Sequence, residues 1–320
     1  MTSAIEVNNL RKAFSGVEAL RGVSFSVQKG VLYGIIGADG AGKTTLMRIL
    51  TTLINSDSGS ASVLDKDVSG EIHYIRSRIG YMPQRFSLYQ DLSVRENLLF
   101  FADIYGVKQK DRKERLDKLL SFSRLGPFQK RRAAHLSGGM KQKLALCCAL
   151  IHTPEILILD EPTTGVDPVS RNEFWGILKE LRQQGITIIV STPYMDEASL
   201  CDELMVLHKG EILLSGKPAT LLKSYPYSIF RAGNSSGTTS FKSPAQLPEG
   251  IILMYPSAGM MHVIVEKKDM SSEHVFSIIK SVIPDIDVIE PAEATIEDLF
   301  FLLLAEKESM IRKADNLCGV

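Results

Sequence analysis

The string Gly37-Ala38-Asp39-Gly40-Ala41-Gly42-Lys43-Thr44 ends in an ammonium and a hydroxyl. Glycines let backbone amides curl around phosphate oxygens, which need many oriented donors and little bulk. Lys43 adds a mobile positive charge and the Thr44 hydroxyl suits Mg²⁺, so the string points to a bound triphosphate. A second string, Ile156-Leu157-Ile158-Leu159-Asp160-Glu161-Pro162, is an apolar run closed by two carboxylates. Asp160 suits holding Mg²⁺ through water, and Glu161 suits orienting or deprotonating an attacking water. A third, Leu136-Ser137-Gly138-Gly139-Met140-Lys141-Gln142, places a serine and two glycines at the mouth of a helix, where free amides again meet an anion. Each string alone has a plain use as a turn or a helix cap. Together they address three parts of one reaction.

Elements must hold these residues in place. Between residues 5 and 36 apolar runs such as 23–27 and 31–36 alternate with glycine turns and read as strands leading into the glycine string. A helix over 44–53 follows, with Leu46, Ile49, Leu50 and Leu53 forming one apolar stripe. Residues 91–126 read as helical, and the mixed charges of 108–115 as a solvated face. The uninterrupted apolar run 156–159 predicts a central parallel strand buried on both faces. Helix 138–152, strand 156–160, helix 170–184, strand 186–191, helix 195–201 and strand 204–207 alternate, which argues for a layered α/β domain. His208 to Glu211 reads as a hairpin turn, and the main domain is expected to end near residue 222. Beyond it the expectation is a loop at 233–240, strands at 251–255 and 261–265, a helix over 272–283, and a last helix from Thr295, where Thr295 and Asp298 fit a capping box. A small sheet covered by two helices would result.

Bulk properties narrow the partners. The chain has 320 residues, enough for a core of about 200 plus a smaller unit. Lys plus Arg number 37 and Asp plus Glu number 37, so the electrostatic footprint of a nucleic-acid binder is missing and no nucleic-acid partner is expected. Cys147, Cys148, Cys201 and Cys318 show no metal-ligand spacing and read as reduced thiols. The first residues carry neither a basic nor an apolar leader region, and no apolar run is long enough to cross a bilayer. The expectation is a cytoplasmic chain; action at a membrane would require another chain to span it.

Taken together, the three strings resemble the nucleotide-binding subunit of ABC (ATP-binding cassette) transporters, over about residues 3 to 220. The resemblance implies an α/β fold, the P-loop NTPase ABC cassette: a mixed-sheet core with a helical subdomain at about 88–152 and an antiparallel β subdomain. Residues 1–222 would be the cassette and 223–320 a small α+β C-terminal accessory domain. It implies ATP and Mg²⁺ as cofactors, with ATP contacts from Phe14, which would stack on adenine, and from Gly37, Ala38, Asp39, Gly40, Ala41, Gly42, Lys43, Thr44 and Thr45. Thr44, Gln84 and Asp160 would hold Mg²⁺, and Glu161, Gln84 and Lys43 would serve catalysis. In that family two cassettes meet head to tail. Ser137, Gly138, Gly139 and Gln142 would then complete the site of a second cassette, of the same or a different chain, and Asp167 would lie in the loop that meets the partner. Integral membrane permease subunits are the implied partners, with the cassette peripheral on the inner face of the cell membrane. The apolar helical surface after Gln84 would receive a coupling helix. The tail around 294–301 resembles the C-terminal unit of cassettes serving ABC-2-type exporters of drugs, antibiotics or lipids.

One position departs from that pattern. After strand 186–191 the family has a histidine, and this chain has Pro193, which offers no side-chain donor and no amide hydrogen. Slow hydrolysis, or pairing with a different cassette that supplies the histidine, is the expected consequence. A soluble ABC-type ATPase and a slow-turnover regulatory cassette are the alternative readings.

Overall fold

The computed structural model describes residues 3–85, 88–223, 225–234, 247–257, 259–266 and 270–318, with side chains up to residue 307. The chain forms two compact units, 1–217 and 218–320.

In the first unit the elements run β1 (Ser3–Phe14), β2 (Val17–Gln28), β3 (Leu32–Ile36), α1 (Lys43–Leu50), β4 (Ser58–Val63), β5 (Lys66–Asp67), α2 (Ile72–Arg76), β6 (Ile79–Met82), α3 (Val94–Ile104), α4 (Gln109–Phe122), α5 (Gly138–Leu150), β7 (Ile156–Asp160), α6 (Pro168–Gln183), β8 (Thr187–Thr192), β9 (Glu203–His208) and β10 (Glu211–Gly216). Among the described residues, one sheet has the order β10-β9-β3-β8-β7-β6 and a second the order β2-β1-β4-β5. Strands β9, β3, β8, β7 and β6 run parallel, and β10 returns antiparallel through the Lys209-Gly210 turn.

The parallel strands are buried on both faces, as their unbroken apolar runs require. Alternate residues serve two cores. Ile35, Ile158 and Ile189 pack with Leu46, Met47, Ile49 and Leu50 of α1 on one side. Leu157, Leu159, Ile188 and Val190 pack with Phe174, Trp175, Leu178 and Leu181 of α6 on the other. Each such side chain contributes about 1.5–3 kcal/mol by leaving water. The expected stripe on α1 loses one member: the helix stops at Leu50, and Leu53 lies beyond it, 51% exposed.

The expected continuous helical stretch 91–126 is corrected to two helices. Ser93 and Glu96 form a capping box that starts α3, and the chain breaks after it at Gly106, whose φ of 63° is left-handed. Helices α3, α4 and α5 share a third core built on Val94, Leu98, Leu116, Leu144 and Ile151.

The second unit runs α7 (Pro218–Lys223), β11 (Ser228–Gly233), β12 (Ile251–Ser257), β13 (Met260–Val265), α8 (Ser272–Val282), β14 (Val288–Ala292) and α9 (Ile296–Cys318). Among the described residues its antiparallel sheet has the order β12-β13-β11-β14. Sequence reading missed β11 and β14. Strand β11 occupies part of the expected loop 233–240, the rest of which lies outside the described residues apart from Asn234. Strand β14 is an edge strand whose residues are mostly exposed and which carries Pro291, so it lacks an apolar signature. The capping box at α9 is present: the Thr295 amide donates to Asp298 Oδ2 (2.8 Å) and the Asp298 amide to Thr295 Oγ1 (3.2 Å).

Candidate active site

The glycine string connects β3 to α1, at the edge of the sheet where parallel strands end. Open α/β sheets collect ligands at that edge. Two of its glycines are demanded by close approach. A Cβ on Gly37 would lie 2.3 Å from the Leu207 carbonyl oxygen, and one on Gly42, whose φ is 108°, would lie 2.4 Å from that of Ala19. Gly40 has φ of 77° with open space around it, and Ala38, Asp39 and Gly40 are exposed. Gly42 caps α1 without any side-chain hydrogen bond, which leaves the first helical amides available to an anion. Ala41 is buried, and Thr44 and Thr45 are half-buried on the first turn.

Lys43 is 4% exposed and its Nζ is held by the carbonyls of Gly37 (2.6 Å) and Ala38 (3.1 Å) and by Glu161 Oε1 (3.0 Å). A buried ammonium and a buried carboxylate each need such a partner. Glu161 sits just past β7 with φ of 50°, a costly conformation for a non-glycine residue that the surrounding bonds hold in place. Its Oε2 accepts from Gln84 Nε2 (2.8 Å) and Thr164 Oγ1 (3.3 Å). Its amide donates to Ser191 Oγ (3.0 Å), and the Ser191 hydroxyl donates to Asp160 Oδ1 (2.7 Å). The register of the sheet makes this possible, because Asp160 pairs with Ser191, and Ile36 with Thr192. Ser191 was missed in the sequence, since only the strand pairing reveals it.

Asp160 is fully buried. Burial raises its pKa; the Ser191 hydroxyl and then that of Thr44 oppose the rise, while the Glu161 carboxylate adds to it. Its Oδ2 has no hydrogen-bond partner among the described residues. An unsatisfied buried acceptor costs about 1–3 kcal/mol. An open carboxylate oxygen, a hydroxyl and an amide oxygen are the donor types a hard divalent cation takes, so the chemistry of Asp160, Thr44 and Gln84 fits Mg²⁺.

Ser137 caps α5, its Oγ accepting from the Met140 amide (3.4 Å). Asp167 caps α6, accepting from the Ser170 amide (2.9 Å). The two helix starts touch: a Cβ on Gly139 would lie 2.5 Å from Ser170 Oγ. Ser137, Gly138 and Asp167 are exposed. Among the described residues no hydrogen bond joins them to Lys43 or Glu161, so the chain holds two separate clusters. Gln142 joins Gln84, Leu88, Gly138 and Lys141 around a cavity of about 230 Å³. Phe14 is 47% exposed at the end of the β1–β2 hairpin, opposite Val17, with Lys12 Nζ 5.3 Å from its ring centre. The second strand of that hairpin brings Ala19 against Gly42. Pro193 is half-buried after β8, and the Tyr194 amide donates to Thr192 Oγ1 (3.0 Å).

The model of the ABC transporter family matches residues 20–164. The Nod factor export ATP-binding protein I of Burkholderia lata is 39% identical over 221 residues, covering 69% of this chain and 73% of that protein. The chain belongs to the ABC transporter ATP-binding family. A second relative of this ABC subunit, the probable multidrug ABC transporter ATP-binding protein YbhF of Escherichia coli K12, is 45% identical over 224 residues. That match covers 69% of the chain but 39% of the relative's length. Among solved structures, cbiO1 from Clostridium perfringens, part of the ABC transporter complex cbiONQ, superposes with a TM-score of 0.63 at 28% identity, covering 70% of this chain and 92% of that one. The ADP conformation of the ATP-binding cassette MJ1267 superposes with a TM-score of 0.62 at 29% identity, covering 68% and 92%. The first unit is therefore an ABC ATP-binding fold, with the mixed sheet, helical layer and antiparallel sheet described above.

Proposed function

We propose that this ABC subunit binds ATP with Mg²⁺ through residues 37–45, hydrolyses it, and powers a separate membrane permease. The observation that carries this reading is the network in which the buried Glu161 carboxylate, next in sequence to the buried Asp160, takes both Lys43 and Gln84. Lys43 would hold the terminal phosphates, Phe14 would stack on adenine, and Glu161 would orient or deprotonate the attacking water. Bound Mg²⁺ would neutralise phosphate charge, held by Thr44, Asp160 and Gln84. Gln84 also lines the cavity against α5, a suitable place for a permease segment to bear on the site.

In this reading two cassettes pair head to tail, and Ser137, Gly138, Gly139 and Gln142 of one face the nucleotide held by the other. The exposed Ser137 and Asp167 support it, as does Val169, which is 70% exposed beside them. No helix among the described residues is long and apolar enough to cross a membrane, so the permease is a different chain or segment. The names of the relatives, multidrug and Nod factor export, favour export of a small molecule, with the cassette on the inner face of the membrane and residues 223–320 as an accessory domain. Reconstitution with its membrane permease should stimulate phosphate release; a permease-independent, unstimulated rate would count against transport coupling. A slow regulatory cassette is the second reading, favoured by Pro193. Single-turnover measurement separates the two, since a regulator retains bound ATP over many minutes with Mg²⁺.

A further inference from the structure

The side chain of Glu197 lies inside the first unit, 2% exposed, with no role in the chemistry above. A buried carboxylate is costly unless it is paired and hydrogen-bonded, and here its partners come from three separate segments. Thr163 Oγ1 donates to both of its oxygens, at 3.0 and 3.3 Å. Thr192 Oγ1 donates to Oε2 at 2.5 Å, and Arg171 Nε to Oε1 at 3.1 Å.

Each partner belongs to a different part of the site. Thr163 lies two residues after Glu161, on the loop whose Thr164 also touches the Glu161 carboxylate. Thr192 ends β8, immediately before Pro193, and its carbonyl oxygen accepts from the Gly37 amide at 3.2 Å, which ties it to the phosphate loop. Arg171 lies on the first turn of α6, between the Asp167 cap and the buried face of that helix, and is adjacent to Ser170, which bears on Gly139. Arg171 is itself fixed, with its guanidinium 4.2 Å over the Tyr194 ring and bonded to Asp196 at 3.2 Å.

We infer that Glu197 is a positioning residue for ATP hydrolysis, holding the loop of Glu161, the end of β8 and the start of α6 in one fixed arrangement. This rests on the ATPase reading. One carboxylate bridges the phosphate loop's neighbour, the hydrolytic loop and the helix that begins at the exposed Asp167 cluster. Contact made at that cluster therefore has a short route to the loop of Glu161, hydrogen-bonded from Arg171 through Glu197 to Thr163 and completed by the stretch of backbone between Thr163 and Glu161. The arrangement also takes over part of what a side chain at position 193 would do, because Pro193 has neither an amide hydrogen nor a polar side chain and its loop is anchored instead by Thr192 and Tyr194.

An ordinary stabilising ion pair would show itself as lost stability. A positioning residue would show itself as lost turnover at unchanged nucleotide affinity. Glu197→Gln keeps the shape and loses the charge that holds Arg171, and Thr163→Val removes one arm with no change of charge. The experiment measures single-turnover phosphate release, equilibrium ATP affinity and melting temperature for the full chain and both variants, with Glu161→Gln as the inactive reference. The expected result is at least a tenfold fall in the hydrolysis rate for Glu197→Gln and a smaller fall for Thr163→Val, with ATP affinity within about threefold of wild type, a margin of under 1 kcal/mol. Wild-type hydrolysis by a folded Glu197→Gln, or a rate loss matched by an equal loss of affinity, overturns the inference and leaves the ATPase reading intact. If Glu197→Gln does not fold, an unaltered rate in Thr163→Val overturns it. Hydrolysis by the wild-type chain no faster than by Glu161→Gln defeats the ATPase reading itself, and this inference with it.

Discussion

Lys43 Nζ and Glu161 Oε1 stand 3.0 Å apart, both side chains almost wholly buried. The ammonium expected to meet the terminal phosphate is thus neutralised by the carboxylate expected to activate water. In the proposed mechanism nucleotide entry would replace one anion by another at Lys43 and free Glu161 toward the attacking water.

That exchange makes Glu161→Gln informative. Removing a general base costs about 10²- to 10⁴-fold in rate. The same change removes the anion that competes with phosphate for Lys43, so ATP affinity should be equal to or tighter than wild type. Phosphate release and equilibrium binding of the same preparation check both halves, and a variant that loses affinity together with rate contradicts the exchange.

Gly139→Ala should disturb the start of α5. The new methyl would meet Ser170 at 2.5 Å, so the two helix starts must part. Overpacking of this kind costs about 1–3 kcal/mol. Denaturant unfolding should show that loss, and sedimentation of Glu161→Gln with Mg²⁺ and ATP should lose its nucleotide-driven pairing when Gly139→Ala is added.

Pro193→His restores a side-chain donor where the chain has none. One transition-state donor is worth about 10²- to 10³-fold. The variant is predicted to hydrolyse ATP at least about tenfold faster in steady state; an unchanged rate would show that position 193 does not limit turnover.

The second unit carries its own polar cluster. Asp298 of α9, fully buried, takes the Tyr255 hydroxyl at 2.6 Å and lies 2.8 Å from His262 Nδ1. Burial raises the Asp298 pKa, but the hydrogen bonds from His262, Thr295 and Tyr255 outweigh it and hold the carboxyl below the usual range. A group lowered in the folded state adds stability above its unfolded pKa, near 4, and loses it as pH falls through the folded value. Asp298→Asn should therefore speed hydrogen exchange of residues 260–265 at pH 7, by an amount equivalent to about 1–3 kcal/mol. The gap from wild type should narrow below pH 4. A gap that persists unchanged at pH 3 would contradict the assignment.

Local strings were legible because their chemistry is local. The glycines at 37, 40 and 42, Lys43, and the carboxylates after β7 announce themselves through residue type and spacing, and the capping box at Thr295 does the same. Ser191 and Glu197 were not legible, since each reaches the site through strand register or loop packing between residues far apart in the chain, and Thr164 was not because its contact depends on the turn made after Glu161. The break at Gly106 was hidden between an apolar stretch and a charged helical one, where one left-handed glycine decides the boundary. Edge strand β14 lacked the alternation that marks a half-buried strand, because little of it is buried. The meeting of His262, Tyr255 and Asp298 likewise needed β12, β13 and α9 assembled before it could be seen.

The most direct test is the equilibrium affinity of the full chain for ATP with Mg²⁺ before and after Lys43→Ala. The account predicts that affinity falls by at least about tenfold, or 1.4 kcal/mol, because the ammonium is lost and the unpaired Glu161 carboxylate is left facing the phosphates. ATP bound by Lys43→Ala as tightly as by the wild-type chain would contradict it.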